Sequence, residues 1–234
     1  MFKDSAHVYD VLYSFKDYEA EAAALTTLIQ DRRPGAESLL DVACGTGRHL
    51  ELLRSSSPDL TGVDIEPRLL DIARTRLPDV PLHEADMREL DLGRRFDTVT
   101  CLFSSVGYLA DVEELAGAIG RMSRHLEPGG VLVVDGWVKP EAWRPGVNVD
   151  ALAGTAEDVA VARLTRSWRE DDRSHLDMRY AVATSAGFEQ LAEHHVLRLF
   201  SDAQYRDAFR AAGLEPEVLP SPMGADRDRY VAVA

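Results

Sequence analysis

The run Leu39-Leu40-Asp41-Val42-Ala43-Cys44-Gly45-Thr46-Gly47-Arg48-His49-Leu50 constrains the fold more than any other stretch of the chain. Its apolar first half suits a strand of a parallel sheet covered on both faces. Gly45 and Gly47 then let the backbone reverse where a Cβ would clash, and the residues after them open a helix. A strand, a glycine turn and a helix N-terminus in succession form the corner at which open α/β sheets bind ligands.

The residues at this corner help to choose among ligand classes. A dinucleotide fingerprint seats a pyrophosphate on the helix N-terminus and needs a third glycine for close helix–strand packing; counted from Gly45, that position is Leu50. No P-loop lysine follows. What remains is an acidic residue, a small residue and two glycines at Asp41, Ala43, Gly45 and Gly47, which resembles motif I of the class I S-adenosylmethionine (SAM) methyltransferases. On this corner alone a nicotinamide or flavin enzyme and an unliganded structural turn stay open as alternatives.

The flanking sequence predicts the rest of an α/β sheet. Helical spacing begins at Tyr18 and stops at Pro34-Gly35, behind a segment marked by Tyr9, Tyr13 and Lys16 that either folds over the ligand or packs on the core. Residues 60–64 read as a strand ending in Asp64, with Pro67 opening a helix that runs to Leu77. Asp64 stands where a Rossmann-like fold sets an acid against ribose hydroxyls, although a helix-capping aspartate looks the same. After a short strand at 80–83, Asp86 is positioned to accept the adenine amino hydrogens and Met87 to pack on the ring. Residues 96–102 form the strongest strand run and lead into the small-residue loop 103–108. Asp111 caps a helix carrying Leu115, Ile119, Met122 and Leu126, which Pro128-Gly129-Gly130 is expected to stop before a fifth strand at 131–135. Five strands interleaved with helices predict a doubly wound, Rossmann-like α/β sheet with helices on both faces. From Gly136 the alternation ceases, and strands expected at 159–168, 175–184 and 191–200 suggest a small antiparallel β excursion within residues 137–200 of a single domain spanning 1–234. A capping-box helix from Ser201 to Gly213 and strands around 218–219 and 230–234 close the sheet.

Composition narrows the partners. Forty acidic against 26 basic residues give a net charge of −14, which opposes attachment to a nucleic-acid backbone. Cys44 and Cys101 sit in apolar strand contexts and are expected as reduced thiols, and no metal-ligand spacing is present. The N-terminus lacks an apolar signal core and no run of about 18 apolar residues occurs, so a cytoplasmic protein with no membrane partner is expected.

More specific than the fold are the stretch 39–47, His83 with Asp86-Met87-Arg88, the segment 92–96, Phe103-Ser104-Ser105-Val106-Gly107-Tyr108-Leu109, and 125–130. Together they resemble the sugar N,N-dimethyltransferases of desosamine and mycaminose biosynthesis, which dimethylate the amino group of dTDP-linked 3-amino-deoxyhexoses. The resemblance covers nearly the whole chain and is strongest from residue 39 to about 140. It implies SAM as cofactor, a nucleotide-sugar substrate and a homodimer. It places Ala43 and Gly45 at the methionine tail, Asp64 with Ile65 at the ribose, Asp86 with Met87 at the adenine, and Leu102 and Phe103 beside them. Tyr9, Lys16 and Tyr18 match positions that cover the cofactor. Phe2, Ser105, Trp137, Arg198 and Arg227 fall in the substrate set. Two departures stand out: Asp64 replaces a family Glu, and Phe2 replaces a tyrosine, so a phenol contact to substrate is lost. The second half of the excursion, including Arg179, His194 and Arg198, diverges more.

The chemistry implied is in-line methyl transfer to an unprotonated amine, a reaction that needs orientation more than a strong base. Tyr108 and His195 are the candidates to orient the amine or take its proton, against the alternatives of a pocket wall and a core histidine. Arg198 and Arg227 are placed to pair with a diphosphate or to stand as exposed charges. A SAM enzyme with another small N or O acceptor, and a SAM-binding protein without turnover, remain the competing readings.

Overall fold

The structure, a computed structural model, describes residues 4–234; Phe2 lies outside the described residues. A short arm comes first, a 3-10 turn at Ala6–Val8 followed by α1 (Tyr9–Leu12). Helix α2 (Tyr18–Arg32) starts where the Asp17 carboxylate accepts the Ala20 N–H at 2.9 Å. The alternating part then runs β1 (Ser38–Val42), α3 (Arg48–Leu53), β2 (Asp59–Asp64), α4 (Pro67–Arg76), β3 (Leu82–Glu84), β4 (Phe96–Cys101), α5 (Val112–Arg124) and β5 (Leu126–Asp135). A meander follows, β6 (Asn148–Ala156), β7 (Val159–Glu170), β8 (Arg173–Thr184) and β9 (Gly187–Arg198), and α6 (Asp202–Ala211), β10 (Glu217–Pro220) and β11 (Asp228–Val233) end the chain.

The main sheet has seven strands in the order β10-β11-β5-β4-β1-β2-β3. β1 to β5 are parallel to their neighbours among themselves, and β11 and β10 add on antiparallel. The order reverses between β1 and β4, and such a switch point opens a crevice at the carboxyl ends of the strands. Both faces are covered. Leu115, Ile119 and Met122 of α5 join Tyr205 and Phe209 of α6 in one core, and Leu25, Ile29, Leu50, Leu53 and Leu70 build the other.

Two expectations need correction. Pro128-Gly129-Gly130 does not stop α5, which ends at Arg124; the three residues lie inside β5. They are absorbed by a register shift opposite Phe96 and Thr98, and the Gly129 N–H donates to the Ala234 carbonyl at 2.8 Å. The excursion has four strands, not three, and its sheet occupies 148–198. Strand β6, rich in Ala, Gly and Asp, carries little β-propensity of its own and is held by pairing along β7 from Asn148↔Ser167 to Ala156↔Val159.

Strand parity decides what the excursion offers. Val161 and Thr165 of β7, Met178, Tyr180 and Val182 of β8, and Glu193, His195 and Leu197 of β9 are buried, with register pairs such as Thr165↔Met178 and Met178↔Glu193. Their neighbours point the other way, where Leu164 and Phe188 are exposed. The arm packs Val8, Leu12 and Tyr13 onto the inner face. At Gly154 of β6 the approach is so close that a Cβ would overlap the carbonyl oxygen of Val11.

Asp97, at the N-terminal edge of the sheet, ties α2 to β1 and β4. Its carboxylate accepts the N–H groups of Glu37 and Ser38 at 3.1 Å each, the Ser38 hydroxyl at 2.9 Å and the Arg33 guanidinium. Burial works against its ionisation, but these donors outweigh it and hold the carboxyl at about 2. The folded-state value lies below the unfolded one, so the stabilisation is present above about pH 4 and disappears as pH falls toward 2. Thermal melts of wild type and Asp97→Asn are expected to differ by several degrees at pH 7 and to converge by about pH 2; equal melting points at pH 7 would refute this role.

Candidate active site

The corner after β1 is shaped by backbone in the left-handed region at Ala43 (φ 61°), Gly45 (φ 57°) and Gly47 (φ 74°). Asp64, buried at the end of β2, fixes it by accepting the Gly45 N–H at 2.8 Å through one oxygen and the Glu66 N–H at 2.8 Å through the other. Burial raises the Asp64 pKa, and these N–H donors oppose the rise. The arm is clamped to the same loop. Thr46 donates to Asp10 at 2.7 Å, and Arg76 bridges Asp10 and the Thr46 carbonyl.

Beyond β4, Phe103 (φ 59°) and Ser104 (φ 65°) are also left-handed. They are held because Asp135, paired with Arg229, accepts the Phe103 N–H at 3.1 Å, and the Ser104 hydroxyl donates to the Gly136 carbonyl at 2.7 Å. This turn projects Tyr108 from a 3-10 segment at Ser105–Tyr108.

Two adjoining cavities result. The larger, about 390 Å³, lies between the sheet edge, the arm and the inner face of the meander; the smaller, about 110 Å³, is walled by Ile65, Met87 and Leu109 with Asp86 among its lining. Ala43, Asp64, Ser105 and Tyr108 line both. The smaller space, apolar on its walls with carboxylates beside it, fits a purine and its ribose. Asp64 keeps lone pairs beyond its two backbone donors for the diol. Gly45 opens onto free space, with nothing within 4 Å of where its Cβ would stand. These residues fit SAM: Asp64 would hold the ribose, and Ile65 and Met87, which line the smaller cavity, would enclose the base. Asp86 is engaged by Arg88, whose Nε lies 3.0 Å from both carboxylate oxygens and whose hydrogen bonds lower the Asp86 pKa.

Most of the expected residues come together here. Tyr9, Phe103, Trp137, His195 and Arg227 line the larger cavity with those already named. Four expected contributors line neither cavity. Lys16 pairs with Glu21 at 3.1 Å and sits 3.9 Å from the centre of the Phe103 ring, so it backs the wall. Tyr18 packs edge-on against His49, and Leu102 is sealed into the core. Arg198 has the outward parity of β9, where it pairs with Asp172 and donates to the Ala110 carbonyl at 2.8 Å. Arg227 stacks 4.2 Å from the centre of the Trp137 ring, and burial lowers its pKa.

Tyr108 and His195 meet directly, hydroxyl to Nδ1 at 2.5 Å. Burial lifts the Tyr108 pKa well above its usual value and lowers that of His195, so the pair rests as phenol and neutral imidazole. Sequence reasoning missed Glu193 and Arg163, and it placed Tyr13 in the arm without giving it a role of its own. Glu193 approaches His195 Nε2 at 3.3 Å, and Arg163 donates to the Tyr13 hydroxyl at 2.8 Å within the cavity wall. Period-two spacing links Glu193 to His195, and this was the available signal. No cluster of three or more His, Cys, Asp or Glu side chains suited to a metal ion occurs among the described residues, where also no helix is long and apolar enough to cross a membrane.

Comparison with known proteins agrees with this geometry. Residues 39–130 match a family model described as a methyltransferase domain. The chain is 44% identical to the dTDP-3-amino-3,4,6-trideoxy-alpha-D-glucopyranose N,N-dimethyltransferase of Streptomyces venezuelae, over 92% of each chain. It is 39% identical to the dTDP-4-amino-2,3,4,6-tetradeoxy-D-glucose N,N-dimethyltransferase of Saccharopolyspora spinosa, over 93% of this chain and 88% of the relative. Among solved structures it is similar to Streptomyces venezuelae DesVI, with a TM-score of 0.92, 42% identity and 98% of each chain covered. It is also similar to SAM-bound CalS10, an amino pentose methyltransferase from Micromonospora echinaspora, with a TM-score of 0.85, 39% identity, and 97% of this chain and 96% of that one covered. A motif I corner that fits SAM, a second chamber beside it and likeness along nearly the whole length lead to one statement: this chain belongs to the SAM-dependent dTDP-aminosugar N,N-dimethyltransferase family.

Proposed function

We propose that this protein methylates, twice, the amino group of a dTDP-linked aminodeoxysugar in natural-product biosynthesis. The observation that carries the reading is the pair of cavities sharing Tyr108, one shaped for a nucleoside and the other large enough for a sugar with a polar tail. SAM, when bound, supplies a methyl group already activated on a sulfonium. The protein must hold an unprotonated amine in place, and orientation of this kind is worth roughly 7–11 kcal/mol in favourable cases. Tyr108, at the junction of the cavities, accepts a hydrogen bond from the amine while its own hydroxyl donates to His195 Nδ1. Neutral His195 is the terminal acceptor, and its lowered pKa keeps it unprotonated at neutral pH. A second methylation needs such a path more than the first, because the monomethylated amine is left protonated. Arg227, beside Trp137, is placed to meet a substrate diphosphate.

The same reading treats residues 1–234 as one methyltransferase domain with the meander as its excursion, supported by a cavity whose walls come from both sheets. Free, buried Cys44 and Cys101 support a reducing, cytoplasmic setting. Exposed Val149, Leu164 and Phe188 on the outer face of the meander support a homodimer. The deciding experiment offers the purified protein SAM and a panel of dTDP-linked 3-amino and 4-amino deoxysugars, with products read by mass. Gain of two methyl groups on one sugar is expected. No gain on any sugar, with SAM binding verified in the same sample, would overturn the aminosugar reading.

A further inference from the structure

Glu193 of β9 is an acidic side chain buried in the meander, and both of its oxygens are hydrogen-bonded. One oxygen accepts the backbone N–H groups of Asp4 and Ser5, at 3.1 and 3.2 Å. The other accepts the Ser5 hydroxyl at 3.0 Å and the Tyr180 hydroxyl at 3.1 Å, and faces His195 Nε2 at 3.3 Å. Burial alone would raise its pKa; the hydrogen bonds from His195 and Ser5 prevail and hold it at about 2. An ionised carboxylate only accepts hydrogen bonds. The proton of neutral His195 therefore sits on Nε2, and Nδ1 presents its lone pair to the Tyr108 hydroxyl. Among the described residues, the titratable groups around His195 besides Glu193 include Tyr108 from the 3-10 segment, Tyr180 of β8, Arg163 of β7 and Tyr13 of the arm.

We propose that Glu193 is a positioning residue for methyl transfer: it fixes the His195 tautomer that receives a proton through Tyr108 and stabilises the imidazolium that results. The proposal rests on the Tyr108–His195 reading above. In the step concerned, the amine gives a proton to Tyr108 Oη as the Tyr108 proton passes to His195 Nδ1. The positive charge moves from the amine to the imidazole, nothing is oxidised or reduced, and His195 later returns one proton to solvent. The arm takes part because its two backbone N–H groups hold the carboxylate on the side away from His195.

Glu193→Gln tests this with little change in shape. The Asp4 and Ser5 N–H groups require the amide oxygen on their side, which turns the amide NH₂ toward His195 Nε2 and drives the ring proton to Nδ1. The expected outcome is a fall in kcat of about 30-fold, with sugar KM and SAM affinity within about 2-fold of wild type. The acid limb of the kcat profile should shift to lower pH, since the imidazolium has lost its anion. Should the variant fail to fold, nitrogen NMR of the His195 ring in the wild-type protein decides: a proton on Nε2 is expected, and one on Nδ1 overturns the proposal. Wild-type kcat and an unshifted limb in Glu193→Gln also overturn it. Tyr108→Phe separates the two levels: full turnover there removes the underlying reading, whereas loss there with full turnover in Glu193→Gln removes only the role of Glu193.

Discussion

Asp64→Ala is expected to weaken SAM binding by at least about 100-fold, read as Kd by titration calorimetry. The carboxylate is buried and already receives the Gly45 and Glu66 N–H groups, each at 2.8 Å. Removing it strands two backbone donors, and a buried donor left unmade costs about 1–3 kcal/mol. The glycine loop also loses the tether that sets it against β2, and the ribose loses its acceptor. A hundredfold loss corresponds to about 2.7 kcal/mol, well inside the sum of these effects. Asp64→Asn, which retains one carbonyl oxygen, should fall between. A Kd for Asp64→Ala equal to that of wild type would remove Asp64 from the cofactor site.

The second large effect is expected from Tyr108→Phe. The ring remains as a wall of both cavities, so SAM affinity should stay within about 2-fold. The hydroxyl that reaches His195 Nδ1 is lost, and positioned proton transfer of this kind contributes about 10²–10⁴-fold. A fall in kcat of at least about 100-fold is expected, and the product should shift toward the monomethylated sugar, because the second transfer depends on removing a proton after the first. Unchanged kcat with unchanged product ratio would show that Tyr108 only shapes the chamber.

How far these sites were legible in sequence depended on whether chemistry or register set them. The corner from Leu39 to Leu50 was readable because a buried strand followed by left-handed turn residues leaves few choices of residue, and Asp64 followed from its place one βα unit later. Asp86 and Met87 were placed by the same counting and do line the smaller cavity. The meander was harder. Three of its four strands were found by composition, but which face each side chain takes depends on register, and a shift of one residue inverts it. Arg198 was assigned to the substrate and faces outward, while Arg163, on the inward parity of β7, was passed over. Lys16 shows another limit. It sits in the right segment, yet a buried ammonium needs an anion, and Glu21 satisfies it behind the cavity wall. Strand β6 went unseen because its order comes from β7 rather than from its own residues.

The fit of α1 against β6 bears on how such enzymes can be recombined. At Gly154 the space of a side chain is filled by the main-chain carbonyl of Val11, so the two segments are matched backbone to backbone. A chimaera that brings in a foreign meander with any Cβ at that position would push the arm aside and take Tyr9 and Tyr13 from the cavity wall. Exchanging residues 4–17 and 148–198 together carries the match along, which makes the pair the natural unit for grafting a new sugar preference onto this SAM-binding sheet.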